Sequence, residues 1–230
     1  MKSGNSLSAK AYNIIKQRVI DMQLRPGEVI MVQPLAQELG LSRTPVREAL
    51  VRLHEDGLLE NANGNKFKVS EIDLSKIIEI YDMREVLEGY AVRQLASNHL
   101  EEQIQDLASI CNAMDKAYQE SNIKAFFELD SDFHAKIIDF TKNTTLQELT
   151  SLIVDRTQRI RFLSWYVPKT LEETIDEHQK IVAQIQEKNP DGAAMALSYH
   201  LGKVKSGIRK LFENQNHSFS SWAFGFRHVL

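Results

Sequence analysis

Turn-forming residues crowd into the start of this chain, and that placement limits its possible folds more than any other feature. Pro26-Gly27, Pro34, Gly40, Pro45, Gly57 and Asn63-Gly64 cut the first 70 residues into short pieces. From Asp73 to about residue 213 the pattern is long and little interrupted. With only 10 Gly and 5 Pro in 230 residues, a mainly helical chain is expected rather than a turn-rich β sandwich. The expected fold class is therefore mainly α: a punctuated N-terminal module, then an antiparallel bundle of about six helices.

In the first module, Tyr12, Ile15, Val19 and Met22 recur at helical spacing. This predicts an amphipathic helix over 7–24, stopped by Arg25-Pro26-Gly27. Val29 to Val32 reads as a short extended piece, and Pro34 to Gly40 as two helical turns closed by a glycine. Ser42 is placed to cap the next helix, which carries Pro45 in its first turn and ends at Gly57. Two short helices joined by a tight turn make a helix-turn-helix. Leu58-Leu59-Glu60 and Lys66-Phe67-Lys68-Val69 flank an Asn-Gly loop and predict a hairpin. A hairpin after a helix-turn-helix is a wing, so residues 1–70 are expected to form a winged helix-turn-helix domain.

Six helices are predicted beyond it, at 73–97, 100–119, 122–141, 144–165, 168–189 and 190–213, with Asp73, Ser121 and Thr144 as caps. Asn143 and Pro168 fall in connections. Leu74, Ile77, Ile78, Tyr81, Val86 and Ala91 mark the apolar face of the first. Leu146, Leu149, Leu152, Ile153 and Ile160 mark that of the fourth. Residues 71–213 form the expected second domain. The aromatic tail 214–230 shows no clear period and is assigned no role.

Charge follows the same division. The whole chain carries a net −3, which argues against nucleic acid as a partner. Residues 1–70, however, hold 10 Lys and Arg against 7 Asp and Glu, while the remainder holds 18 against 24. A slightly basic head precedes an acidic bundle. No apolar run reaches the ~18–20 residues of a membrane span, and MKSGNSLSAK lacks the apolar stretch of a signal peptide. The single cysteine, Cys111, excludes an internal disulfide framework. A reduced, cytoplasmic protein is expected, with Cys111 a buried, inert small residue.

Two constellations carry chemistry. In Leu41-Ser42-Arg43-Thr44-Pro45-Val46-Arg47-Glu48, Arg43 and Arg47 share one face near a helix N-terminus. Arginine reads guanine bidentately in the major groove and also clamps phosphates. Ser42 and Thr44 offer hydroxyls to phosphates, and Lys66 lies on the wing. The alternative is a solvated helix whose arginines pair with Glu48 or Glu55. The second constellation is Asp130-x-x-Phe133-His134, a carboxylate and an imidazole one turn apart. If the bundle brings His178 and His200 to them, the four make a mixed N/O site suited to zinc, nickel, manganese or iron better than calcium. The alternative is three histidines hydrogen-bonded in the core or exposed.

Leu35-Ala36-x-x-Leu39-Gly40-Leu41-Ser42-Arg43-Thr44-Pro45-Val46-Arg47-Glu48-Ala49-Leu50-x-x-Leu53-x-x-x-Gly57-Leu58, with Leu24-x-Pro26-Gly27 before it, closely resembles the winged helix-turn-helix of GntR-family bacterial transcription regulators. The resemblance implies that Arg43 and Arg47 lie at the DNA, that Ser42 and Thr44 hold phosphates, and that Gly64 enters the minor groove. Some relatives carry a basic residue where this chain has Gln33, so that contact is not carried over. Residues 73–212 resemble the FCD ligand-binding domain of the FadR-type branch. The match runs in order through Arg84-x-x-Leu87-Glu88, Asp130-x-x-Phe133-His134, Asn143, Glu177-His178 and His200. It implies a divalent metal (zinc, nickel or manganese) on Asp130, His134, His178 and His200. It also implies a small carboxylic acid effector, with Arg84 and Asn143 as effector-binding residues. An i, i+4 ion pair with Glu88 is the alternative for Arg84. Arg156 and Arg159 are candidates for the pocket or for a dimer face.

The function expected is a metabolite-responsive transcription regulator, a repressor binding a near-palindromic double-stranded operator as a homodimer, not an enzyme and not a membrane protein. A metal-dependent hydrolase is the first alternative, but neither H-E-x-x-H nor a placed base is present. An architectural DNA-binding protein without effector is the second.

Overall fold

The computed structural model describes residues 2–71, 73–151, 153 and 171–213. Leu152, Ile160, Arg156, Arg159, the Pro168 connection and the tail 214–230 lie outside these. The chain divides into two compact units, with the break between Asp73 and Leu74. The expectation of a mainly α chain with an N-terminal winged helix-turn-helix holds.

In the first unit the elements run α1 (Lys2–Ile20), β1 (Val29–Met31), α2 (Val32–Glu38), α3 (Arg43–Glu55), β2 (Leu59–Asn61) and β3 (Lys66–Val69). Helix α1 ends sooner than predicted. Met22 takes a left-handed conformation with φ 57°, and the Leu24 N–H turns back to the Arg18 carbonyl. The extended piece also ends a residue early, because Val32 opens α2. Its three residues join the hairpin in an antiparallel sheet of order β1-β3-β2, with Ile30 opposite Phe67 and Glu60 opposite Lys68. Ala11, Tyr12, Ile15 and Val19 of α1 pack with Leu35, Val46, Leu50, Leu53 and Phe67 into one core. Helix α3 stops at Gly57, whose φ of 76° suits glycine. There the Leu58 N–H reaches the Leu53 carbonyl and the Gly57 N–H the His54 carbonyl, the paired bonds of a Schellman close.

The second unit contains α4 (Leu74–Asn98), α5 (Glu101–Gln119), α6 (Ile123–Phe140), α7 (described over 144–151), α8 (Leu171–Gln186) and α9 (Pro190–Glu213). Helices α4 and α8 both pack on α9, and α5 packs on α6 and α8. Two predicted caps shift by one residue. Ser121 closes α5 in a left-handed conformation, and the neighbouring Asn122 caps α6 by accepting the Ala125 N–H. Asn143, not Thr144, caps α7 through the Leu146 N–H. Two predicted core residues point outward: Val86 is 61% exposed and Leu149 47%. The inner face of α4 instead follows Ile77, Tyr81, Arg84, Glu88 and Ala91, so it buries a charged pair.

Candidate functional site

The head presents a groove rimmed by exposed polar side chains. Pro45, Val46, Ala49 and Leu50 are buried beneath α3, which turns Arg43, Thr44, Arg47 and Glu48 to solvent. These exposed side chains, Gln33 and Gln37 of α2, and Asn63, Asn65 and Lys66 of the wing line a groove of about 810 Å³. Ser42 occupies the N-cap position of α3, but its hydroxyl makes no cap hydrogen bond. Neither Arg43 nor Arg47 pairs with Glu48 or Glu55 among the described residues, so the solvated-pair alternative is not realised. The wing lysines differ. Lys68 is held by Glu71 at 3.4 Å and Glu60 at 3.9 Å, whereas Lys66 forms no ion pair among the described residues. At the wing tip Asn63 and Gly64 both have positive φ, and a Cβ on Gly64 would meet nothing within 4 Å.

The bundle brings the second constellation together. Asp130 and His134 of α6, His178 of α8 and His200 of α9 are all buried, with potential ligand atoms within 4.8 Å of one another. His178 Nε2 lies 3.5 Å from Asp130 Oδ1, and His134 Nε2 lies 3.9 Å from it. Phe133 stacks on the His178 ring, centroids 4.2 Å apart. The His134 Nε2 is buried without a hydrogen-bond partner. An orphaned buried polar atom is costly; a metal ion among three imidazoles and a carboxylate would satisfy it, so the donor set fits a divalent transition metal.

A second layer holds these rings. Glu88 Oε2 lies 2.6 Å from His134 Nδ1, and Glu177 Oε2 lies 2.8 Å from His200 Nδ1. His178 Nδ1 lies 3.4 Å from the Met114 sulfur instead. Arg84 Nε donates to Glu88 Oε1 at 2.6 Å, both side chains being buried. The ion pair named as the alternative for Arg84 is therefore formed. The guanidinium is still not used up, because its Nη2 is buried with no hydrogen-bond partner. Burial pushes the Glu88 carboxyl up, but Arg84 and His134 outweigh it and hold the group well below the usual carboxylate range. Burial, helped by the Arg84 charge and opposed by Glu88, lowers the His134 pKa to about 4, so the ring is neutral at pH 7.

Asn143 is placed differently from its expected partners. Its side-chain oxygen is committed to the α7 cap, and its N–H donates to Thr141 Oγ1. Glu88 and Glu177 fall on matched positions of the family resemblance, which gives neither a role at the cluster. Their neighbours in sequence carried no signal for it, since Glu177 adjoins His178 yet bonds to His200.

A GntR profile described as bacterial regulatory proteins of the gntR family matches residues 7–69, and an FCD domain profile matches residues 79–203. The chain is 29% identical to an uncharacterised helix-turn-helix transcriptional regulator, YdhC of Bacillus subtilis, over 88% of its own length and 91% of that protein. It is 22% identical to the transcriptional repressor RspR of Escherichia coli, over 93% and 94% of the two chains. The solved structure of E. coli McbR/YncC shares the fold, with a TM-score of 0.75 at 24% identity over 90% of this chain and 98% of that one. The chain belongs to the FCD-containing GntR family of bacterial transcription regulators, and is a DNA-binding regulator rather than an enzyme.

Proposed function

We propose that this regulator is a repressor that binds a near-palindromic operator as a homodimer and senses a small carboxylic acid at a divalent metal. One observation carries the reading. The four-residue cluster Asp130, His134, His178 and His200 is buried, and Glu88 links its His134 to Arg84, whose Nη2 has no hydrogen-bond partner. A metal held by Asp130, His134, His178 and His200 would supply a Lewis-acidic partner for a carboxylate oxygen, and Arg84 would supply the second positive contact an anion needs. Zinc, nickel and manganese suit the donors. In the head, Arg43 and Arg47 are the candidates for base edges and phosphates, Ser42, Thr44 and Lys66 for phosphates, and Gly64 for the minor groove.

A two-fold dimer matches a palindromic operator. Helices α4 and α9 supply an apolar face for a second copy. They are tied by Lys205 to Asp82, Ser198 to Glu85, and Arg93 to Asp191. Next to these links Val86 is 61% exposed, Tyr90 47% and Tyr199 57%. An acid changes operator affinity only as far as it binds one arrangement of the dimer better than the other.

The experiment is a gel shift on the protein's own promoter, with zinc and a panel of small mono- and dicarboxylic acids. Specific binding that one acid alters supports the reading. Specific binding indifferent to every acid and to metal removal favours the architectural alternative. Absence of any specific complex overturns both.

A further inference from the structure

Two demands meet on the His134 ring. Its Nδ1 lies 2.6 Å from Glu88 Oε2, and its Nε2 faces Asp130 with no hydrogen-bond partner. A neutral imidazole carries one N–H and one lone pair, and the partner of one nitrogen decides which keeps the proton. A carboxylate only accepts. Glu88 therefore holds the proton on Nδ1, and the lone pair is left on Nε2, inside the cluster. Glu88 is itself held, because Arg84 Nε donates to its other oxygen at 2.6 Å.

We infer that Glu88, held by Arg84, is a positioning residue that selects the His134 tautomer and thereby opens the cluster to a divalent metal. This rests on the metal site proposed above and assigns a task to two residues outside its ligands. The relay has a direction that can be exploited. Arg84 demands an acceptor from residue 88. A glutamine there would turn its carbonyl to Arg84 and its NH₂ to His134. The ring nitrogen Nδ1 must then accept, and the proton moves to Nε2, where it blocks the metal. So Glu88→Gln, almost unchanged in volume, closes the site. Removing Arg84 as well lets the amide turn over, and the double variant R84M/E88Q opens it again. A packing role alone predicts the opposite, a second substitution that adds to the first.

The test uses the full-length chain. Zinc affinity is measured by competition with a chromophoric chelator. The protonated nitrogen of His134 is read in the zinc-free protein by two-bond ¹H–¹⁵N correlation. Wild type is expected to show Nδ1–H. E88Q is expected to show Nε2–H and bind zinc about 10–100-fold more weakly, the usual effect of losing such a partner. R84M/E88Q is expected to return to Nδ1–H and recover most of the affinity. Wild-type affinity in E88Q, or a double variant no better than E88Q, overturns the inference. Should E88Q fail to fold because it strands the Arg84 charge, R84M/E88Q is compared with R84M/E88M, which offers His134 no acceptor. The first must bind zinc about 10–100-fold more tightly, and equal affinities sink the idea. If wild type takes up no metal at all, the metal reading fails on its own, and the ring tautomers still decide the task of Glu88.

Discussion

Arg47 and Lys66 line the same groove from different elements, and single substitutions should separate the roles proposed for them. Arg47 projects from the recognition helix, so Arg47→Ala should weaken operator binding by about 1–3 kcal/mol and relax specificity at one position. Lys66 sits on the wing without an ion pair among the described residues, so Lys66→Ala should weaken all sequences alike and reduce the salt slope by about 1. Equilibrium binding at several salt concentrations distinguishes the two. Cys111 is 2% exposed, and burial pushes its thiol up to about 12. The folded protein should therefore resist alkylation at pH 8 and react fully in denaturant, as a mass-spectrometric time course would show. At this scale the sequence was readable where partners are close along the chain. Arg84 and Glu88 stand one helical turn apart, and their pairing was named as an alternative. Glu88 and His134 are 46 residues apart, and nothing local in either helix points to the other.

Element boundaries were readable to within a few residues, and the two shifted caps share a cause. Helix ends are decided by which of several adjacent polar residues the backbone geometry selects, and Ser121-Asn122 and Asn143-Thr144 each offer two. The left-handed closure of α5 uses Ser121, so Asn122 is the residue free to accept the Ala125 N–H. Asn122→Ala should cost about 0.5–2 kcal/mol of bundle stability, measured by urea denaturation, with Ser121→Ala costing less. Val86 was misassigned for another reason. Apolar residues on α4 occur all round the helix, and burial of the Arg84–Glu88 pair fixes the inner face on the side of the helix opposite Val86.

For the whole molecule, a buried donor cluster joining three helices would make the proposed metal a ligand of the folded state only. At free zinc 100 times the dissociation constant, the bundle should gain about 2.7 kcal/mol. Calorimetry with zinc and with chelator should show the rise in Tm, and His134→Ala should abolish it. Val86→Glu, which leaves the cluster untouched, should shift sedimentation from dimer toward monomer if the α4–α9 face is the dimer surface. The sequence alone determined the family, the mainly helical architecture and the winged head. These depend on local periodicity, on turn residues with special backbone needs, and on a motif contiguous in the chain. Tertiary structure decided that Asp130, His134, His178 and His200 converge, and that Glu88 and Glu177 lie against the His134 and His200 rings. Those facts depend on how α4, α6, α8 and α9 pack, and packing juxtaposes residues tens of positions apart, such as Glu88 and His134 at 46, that carry no mark of each other in the chain.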